Sequence, residues 1–131
     1  MTYSPPPSLD GWLREARAHA SAPDIGIYLT HVGVVRRSAR AAVRDGAANT
    51  KPVTGMVFSF DRALAEEITA AARQLEGVYY VRVWLNEGEL ALGDDLMRVL
   101  IGGDTRPHAV AALQYLVGRL KDECVSEREL T

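Results

Sequence analysis

Where a strand runs into a helix, several backbone N–H groups are left unpaired and the positive end of the helix dipole faces outward, a setting that suits anions. The segment Gly102-Gly103-Asp104-Thr105-Arg106-Pro107 has the composition of such a junction. Gly103 permits close backbone approach, Thr105 stands at the cap, and Arg106 adds a forked guanidinium suited to phosphate or carboxylate. The same residues also describe an ordinary cap, in which Asp104 or Thr105 satisfies the first helical N–H groups and Arg106 points into water.

Counting back from Lys121 by four, eight and eleven reaches Val117, Leu113 and Val110, so the lysine prolongs an apolar helical stripe. Its amine either snorkels outward or stays sheltered and available for chemistry, and the alternative is a lysine that complements the helix C-terminus. The choice matters because only Lys51 and Lys121 are lysines among the 15 basic residues. Arginine stays protonated and cannot act as an amine. Arg36, Arg37, Arg40 and Arg44 crowd the end of one strand, where they form either an anion clamp or a solvated surface.

Other chemistries are poorly provided for. Cys124 is the one cysteine, which rules out an internal disulfide and a cysteine-rich zinc site, and its acidic neighbours Asp122 and Glu123 disfavour a thiolate. His19, His31 and His108 lack metal-ligand spacing, so no metal site is expected. Glu87, Glu89, Asp94 and Asp95 read as a solvated acidic turn, with acid–base catalysis the alternative. Neither a phosphate-loop nor a dinucleotide glycine motif is present.

These residues need a scaffold, and 131 residues with 47% hydrophobic and 24% charged content suffice for one core. A single domain over 1–131 is expected, with 1–7 a frayed proline-rich arm. A net charge of −2 supplies no general attraction for nucleic acid or an anionic membrane. No stretch reaches the roughly 18 apolar residues of a membrane span, and no leader stands at the start, so a cytoplasmic location is expected.

Periodicity predicts a helix from Ser8 through Ala20, a strand over 25–35 and a loop over 37–52. A strand over 53–60 follows, then a helix capped by Asp61 with Leu64, Ile68, Ala71, Ala72 and Leu75 on its apolar side. A strand over 78–85, a turn over 88–94 and a strand over 96–101 broken by Gly102-Gly103 lead to the last helix, with Val110, Leu113, Val117 and Leu120 inward. Without strict strand–helix alternation, the order implies an α+β two-layer sandwich with a mainly antiparallel sheet.

The strand Ile27-Tyr28-Leu29-Thr30-His31-Val32-Gly33-Val34-Val35-Arg36, the turn Gly88-Glu89-Leu90-Ala91-Leu92-Gly93-Asp94, Arg106 and Lys121 form an ungapped series. In this the chain resembles a divergent member of the molybdopterin synthase large-subunit family over roughly residues 8 to 129. That resemblance implies an α/β hammerhead fold, a homodimer within a heterotetramer, and a small ubiquitin-like partner whose C-terminal Gly-Gly carries a thiocarboxylate. It further implies sulfur transfer to cyclic pyranopterin monophosphate, a pterin phosphate met as substrate, with no permanently bound cofactor.

For the residues, the resemblance implies that Arg36, Arg37, Gly103, Thr105 and Arg106 hold the anionic substrate and that Lys121 lies beside the tail. Where the family usually has a histidine before the arginine, this chain has Thr105. Where the family runs aromatic-lysine-lysine/arginine-glutamate, this chain runs Val125-Ser126-Glu127-Arg128-Glu129, and Arg128 is expected to replace the second lysine as a charge. The alternative is an impaired paralogue that binds a ubiquitin-like tail or a pterin phosphate without catalysis.

Overall fold

The computed structural model describes residues 5–40, 42, 46 and 51–131. Ser8 caps α1, Leu9–Ala18, by accepting the Gly11 N–H at 3.1 Å. A 3-10 turn over Ala22–Asp24 then leads to β1, Ile27–Val34. After β2, Gly55–Phe60, the Asp61 carboxylate caps α2, Arg62–Arg73, through Leu64 N at 3.0 Å. β3 spans Val78–Leu85, β4 Gly88–Ala91 and β5 Asp95–Gly103. α3, Arg106–Arg119, runs into a π-helical turn, Leu120–Cys124, and the chain ends in β6, Val125–Leu130.

The strands form two antiparallel sheets of three, β1-β5-β3 and β4-β2-β6. The α+β class and the antiparallel pairing agree with expectation. Because side chains alternate along a strand, β5 feeds two clusters. Val99 and Ile101 enter the main core with Ile68, Ala112 and Leu116, whereas Leu100 packs on Trp12 and Ala16 of α1. α1 thus adds a cover to the second face of the first sheet.

Two strands escape the periodicity reading. Gly88 to Ala91 was expected within a turn, yet these residues pair with Phe58 to Gly55 of β2, leaving Leu92 to Asp94 to make the turn. β6 lies on the other edge of β2, and its charged sequence gives no apolar alternation to betray it. The expected break at Gly102-Gly103 is absent. Gly103 pairs with both Ile27 and Val78, because a glycine there admits α3, whose Ala109 Cβ would stand 3.1 Å from any added Cβ.

The expected stripe holds in part: Leu120 is fully buried and Leu113 and Val117 pack against the core, but the buried centre of α3 lies to one side of them. Ala109, Ala112, Leu116 and Leu120 are buried, while Val110 is 37% exposed. Small alanines bring the helix nearer the sheet than the larger Val110–Leu113–Val117 face would allow. Half of the expected 37–52 loop falls outside the described residues, as does Arg44.

Candidate functional site

Lys121 lies at the end of α3, in the π turn, its side chain 27% exposed. There the first turn after the helix folds over the edge of β1, and a pocket of about 440 Å³ opens between β1, β2 and β6. His31, Arg36, Arg40, Lys121, Glu127 and Glu129 supply its polar lining, and Met56, Leu96 and Val117 its apolar walls.

Charge in this pocket is paired. Lys121 Nζ stands 3.6 Å from Glu127 Oε1, and Arg40 Nη1 stands 3.6 Å from Glu127 Oε2. Glu129 Oε2 accepts the Arg40 backbone N–H at 2.9 Å. Glu127 Oε1 is buried and receives no hydrogen bond among the described residues, so the carboxylate is compensated by charge, from Lys121 on this oxygen and Arg40 on the other. Three cationic side chains face two carboxylates, which leaves a local positive excess in a chain of net charge −2.

His31 enters by strand alternation. Ile27 and Leu29 pack against the main core, and His31 is the next side chain but one on the same face. Burial first, then the charge of Lys121, pushes its imidazole below the ordinary value of 6.5. The ring is therefore biased towards its neutral form. Gly33 follows on that face, and an added Cβ there would stand 3.8 Å from His31 Nε2.

Of the residues singled out by sequence, Arg36, Arg40 and Lys121 are brought together here. Arg128 is not: β6 alternates Glu127 and Glu129 inward, so Arg128, opposite Val57, is exposed on the other face. Arg37 is exposed and contributes its carbonyl to Val53 N at 2.8 Å. Gly103, Thr105 and Arg106 lie at the far end of α3, roughly 20 Å from Lys121 at the helical rise per residue.

That far end has its own pair. His108 Nδ1 lies 2.7 Å from Asp104 Oδ1, a contact that raises the imidazole and lowers the carboxyl from their ordinary values. Asp104 Oδ1 also accepts the Thr105 N–H at 2.6 Å, so Asp104 meets part of the helix start while Thr105 makes no side-chain cap bond. Arg106 and Thr105 remain exposed.

Cys124 is buried, and burial pushes its thiol up while Sγ donates to the Asp61 carbonyl at 3.3 Å. The acidic residues of the β4 region also serve structure: Glu87 binds Arg62 at 3.0 Å and Asp95 binds Arg98 at 2.6 Å. A larger cavity of about 570 Å³ lies between α2 and β3, but its arginines are engaged. Arg62 meets Glu87, Arg73 donates to the Val81 carbonyl and Arg82 meets Glu15. No group of His, Cys, Asp and Glu among the described residues is arranged to hold a metal ion.

His31, Glu127 and Glu129 were missed as members of this site. Only His31 gave a local signal, an ionisable ring in register with Ile27 and Leu29.

The model of the MoaE protein family matches residues 12–123. The chain belongs to that family. This bears out the membership expected from the Gly88, Arg106 and Lys121 series. A molybdopterin biosynthesis MoaE protein from Burkholderia ambifaria MC40-6 superposes with a TM-score of 0.70 at 22% identity, covering 97% of this chain and 84% of that one. Molybdopterin synthase from Staphylococcus aureus gives 0.70 at 16% identity, covering 95% and 85%. A complex of subunits 1 and 2 of molybdopterin-converting factor from Helicobacter pylori 26695 gives 0.66 at 19%, covering 93% and 75%. Comparison with curated proteins returns no match. The three structural likenesses bear on the fold.

Proposed function

We propose that this MoaE-family chain is the large subunit of a molybdopterin synthase, moving sulfur from a small-subunit thiocarboxylate to cyclic pyranopterin monophosphate. The observation that carries this reading is the pocket that gathers Lys121, Arg36 and Arg40 around one volume. A bound tail would place its acyl carbon beside Lys121, whose fixed cation stabilises the oxyanion that forms when that carbon is attacked. Arg36 offers a bidentate donor to the substrate's phosphate.

Arg106 belongs to the same function only through a second copy. One protomer holds it roughly 20 Å from Lys121, too far for both to touch one small substrate. A homodimer that sets the α3 start of one copy at the pocket of the other removes that obstacle, with a Gly-Gly-tailed ubiquitin-like subunit completing the assembly. No helix among the described residues is long and apolar enough to cross a membrane, in keeping with a cytoplasmic site of action.

A second reading, a non-catalytic binder of a ubiquitin-like tail, is favoured by Glu127 standing against Lys121 where a second cation was expected. Complementation of a strain lacking the large subunit separates the two. Restored cofactor synthesis that is lost with Lys121→Ala supports the enzyme. Soluble expression with tail binding but no complementation supports the binder.

A further inference from the structure

We propose that His31 is the proton acceptor of this pocket, activating the water that releases the spent carrier tail. The assignment rests on the sulfur-transfer reading above and adds to it a residue and a step. A thiocarboxylate that has bonded its sulfur to the substrate is still tied to it by an acyl carbon–sulfur bond. Water is the acyl acceptor that frees both.

The step balances as follows. Water oxygen bonds to the acyl carbon while one water proton passes to His31 Nε2, the ring carrying its own proton on Nδ1. The carbon–sulfur bond then breaks with its electron pair left on the substrate sulfur. The tail departs as a carboxylate once its remaining acid proton is lost to solvent. Lys121, lining the same pocket, stabilises the oxyanion.

Geometry singles out His31 among the possible bases. Glu127 is held between Lys121 and Arg40 at 3.6 Å each, and Glu129 accepts the Arg40 N–H at 2.9 Å. Arg36, Arg40 and Lys121 are cations and cannot accept a proton as they stand. β5 contributes Leu96 and Met97 near the ring, neither titratable. His108 is tied to Asp104 at the far end of α3, and His19 Nδ1 meets Ser21 at 2.8 Å. Among the described residues no hydrogen bond engages the His31 ring, which lines the pocket beside Gly33, where an added Cβ would stand 3.8 Å from Nε2. A neutral ring, favoured by burial and by Lys121, is the form that accepts a proton.

The test is single-turnover release of the tail carboxylate, followed by mass spectrometry. The full chain is mixed with a carrier protein ending in a Gly-Gly thiocarboxylate and with the pterin monophosphate. His31→Gln is expected to slow release by about a hundredfold and to flatten the acid limb of the pH profile, with carrier affinity unchanged. Added imidazole is expected to restore His31→Ala by about tenfold or more. A His31→Gln rate within about twofold of the unsubstituted chain, or no imidazole rescue of His31→Ala, overturns the assignment. If the unsubstituted chain releases no tail, the sulfur-transfer reading falls and His31 with it. If both release it equally, His31 alone falls.

Discussion

Lys121 and Glu127 face each other from either side of the chain reversal at the end of α3, Nζ to Oε1 at 3.6 Å. The pair sets the pocket's charge, because the Glu127 side chain is 12% exposed and compensates Arg40 as well. Glu127→Gln leaves both cations facing a neutral amide. We expect it to cost about 1–3 kcal/mol in urea unfolding, as removal of one partner from a largely buried charged group does. Phosphate-bearing ligands should bind about three- to tenfold more tightly by calorimetry, since the local positive excess grows. Unchanged stability together with unchanged ligand affinity would show that the contact carries no energy.

Gly77 has a positive φ of 73° between α2 and β3. A side chain there would also overlap the His108 ring and the Asp104 carboxylate. Gly77→Ala therefore meets backbone strain and a steric clash at once, and a loss of about 2–4 kcal/mol in thermal or urea unfolding is expected. Gly93, with φ 85° but open space around it, is the control: Gly93→Ala should cost only about 1 kcal/mol.

His108 and Asp104 make stability depend on pH in a defined sense. The folded imidazole is raised by the Asp104 hydrogen bond, so its contribution is full below the ordinary value of 6.5 and is lost as pH rises through the folded value. The Asp104 carboxyl is lowered, first by the same hydrogen bond, so its contribution is present above 3.8 and is lost as pH falls through the folded value. Both operate between those limits. The Tm difference between the unsubstituted chain and His108→Ala should be largest there and shrink on the alkaline side. A difference that grows as pH rises above 6.5 would contradict the pairing.

Much of the scaffold was legible because its elements carry local signals. Ser8 and Asp61 read as caps and act as caps, and Ile27 and Leu29 alternate into the core. What was hidden depends on partners distant in sequence. β6 is a strand because β2 lies beside it, and Val-Ser-Glu-Arg-Glu-Leu has little apolar pattern to announce that pairing. Once β6 was missed, Arg128 could be counted as a neighbour of Lys121, although pleat alternation turns Glu127 inward instead. Nor could spacing reveal how closely Ala109 and Ala112 draw α3 to the sheet, which centres its buried face on Ala109, Ala112 and Leu116 and leaves Val110 outside. Lys121 and Arg36 were each named through the family pattern, while their sharing one pocket was not readable in one dimension.

The separation of Arg106 from Lys121 gives the sharpest prediction about assembly. The two residues sit at opposite ends of one continuous helical path, roughly 20 Å apart by the rise per residue. If both act on one substrate, each site must draw Lys121 from one copy and Arg106 from another. Arg106→Ala and Lys121→Ala should then each abolish turnover when alone. Mixed after dissociation and reassociation, they should regain about a quarter of normal activity, since half of the random dimers are mixed and each of those has one intact site. Covalently linked tandem chains with Arg106→Ala in one half and Lys121→Ala in the other should regain about half of normal activity without reassociation, since every such dimer is mixed. Two inactive variants that stay inactive when mixed, while size-exclusion chromatography shows that copies exchange, would place Arg106 outside the site.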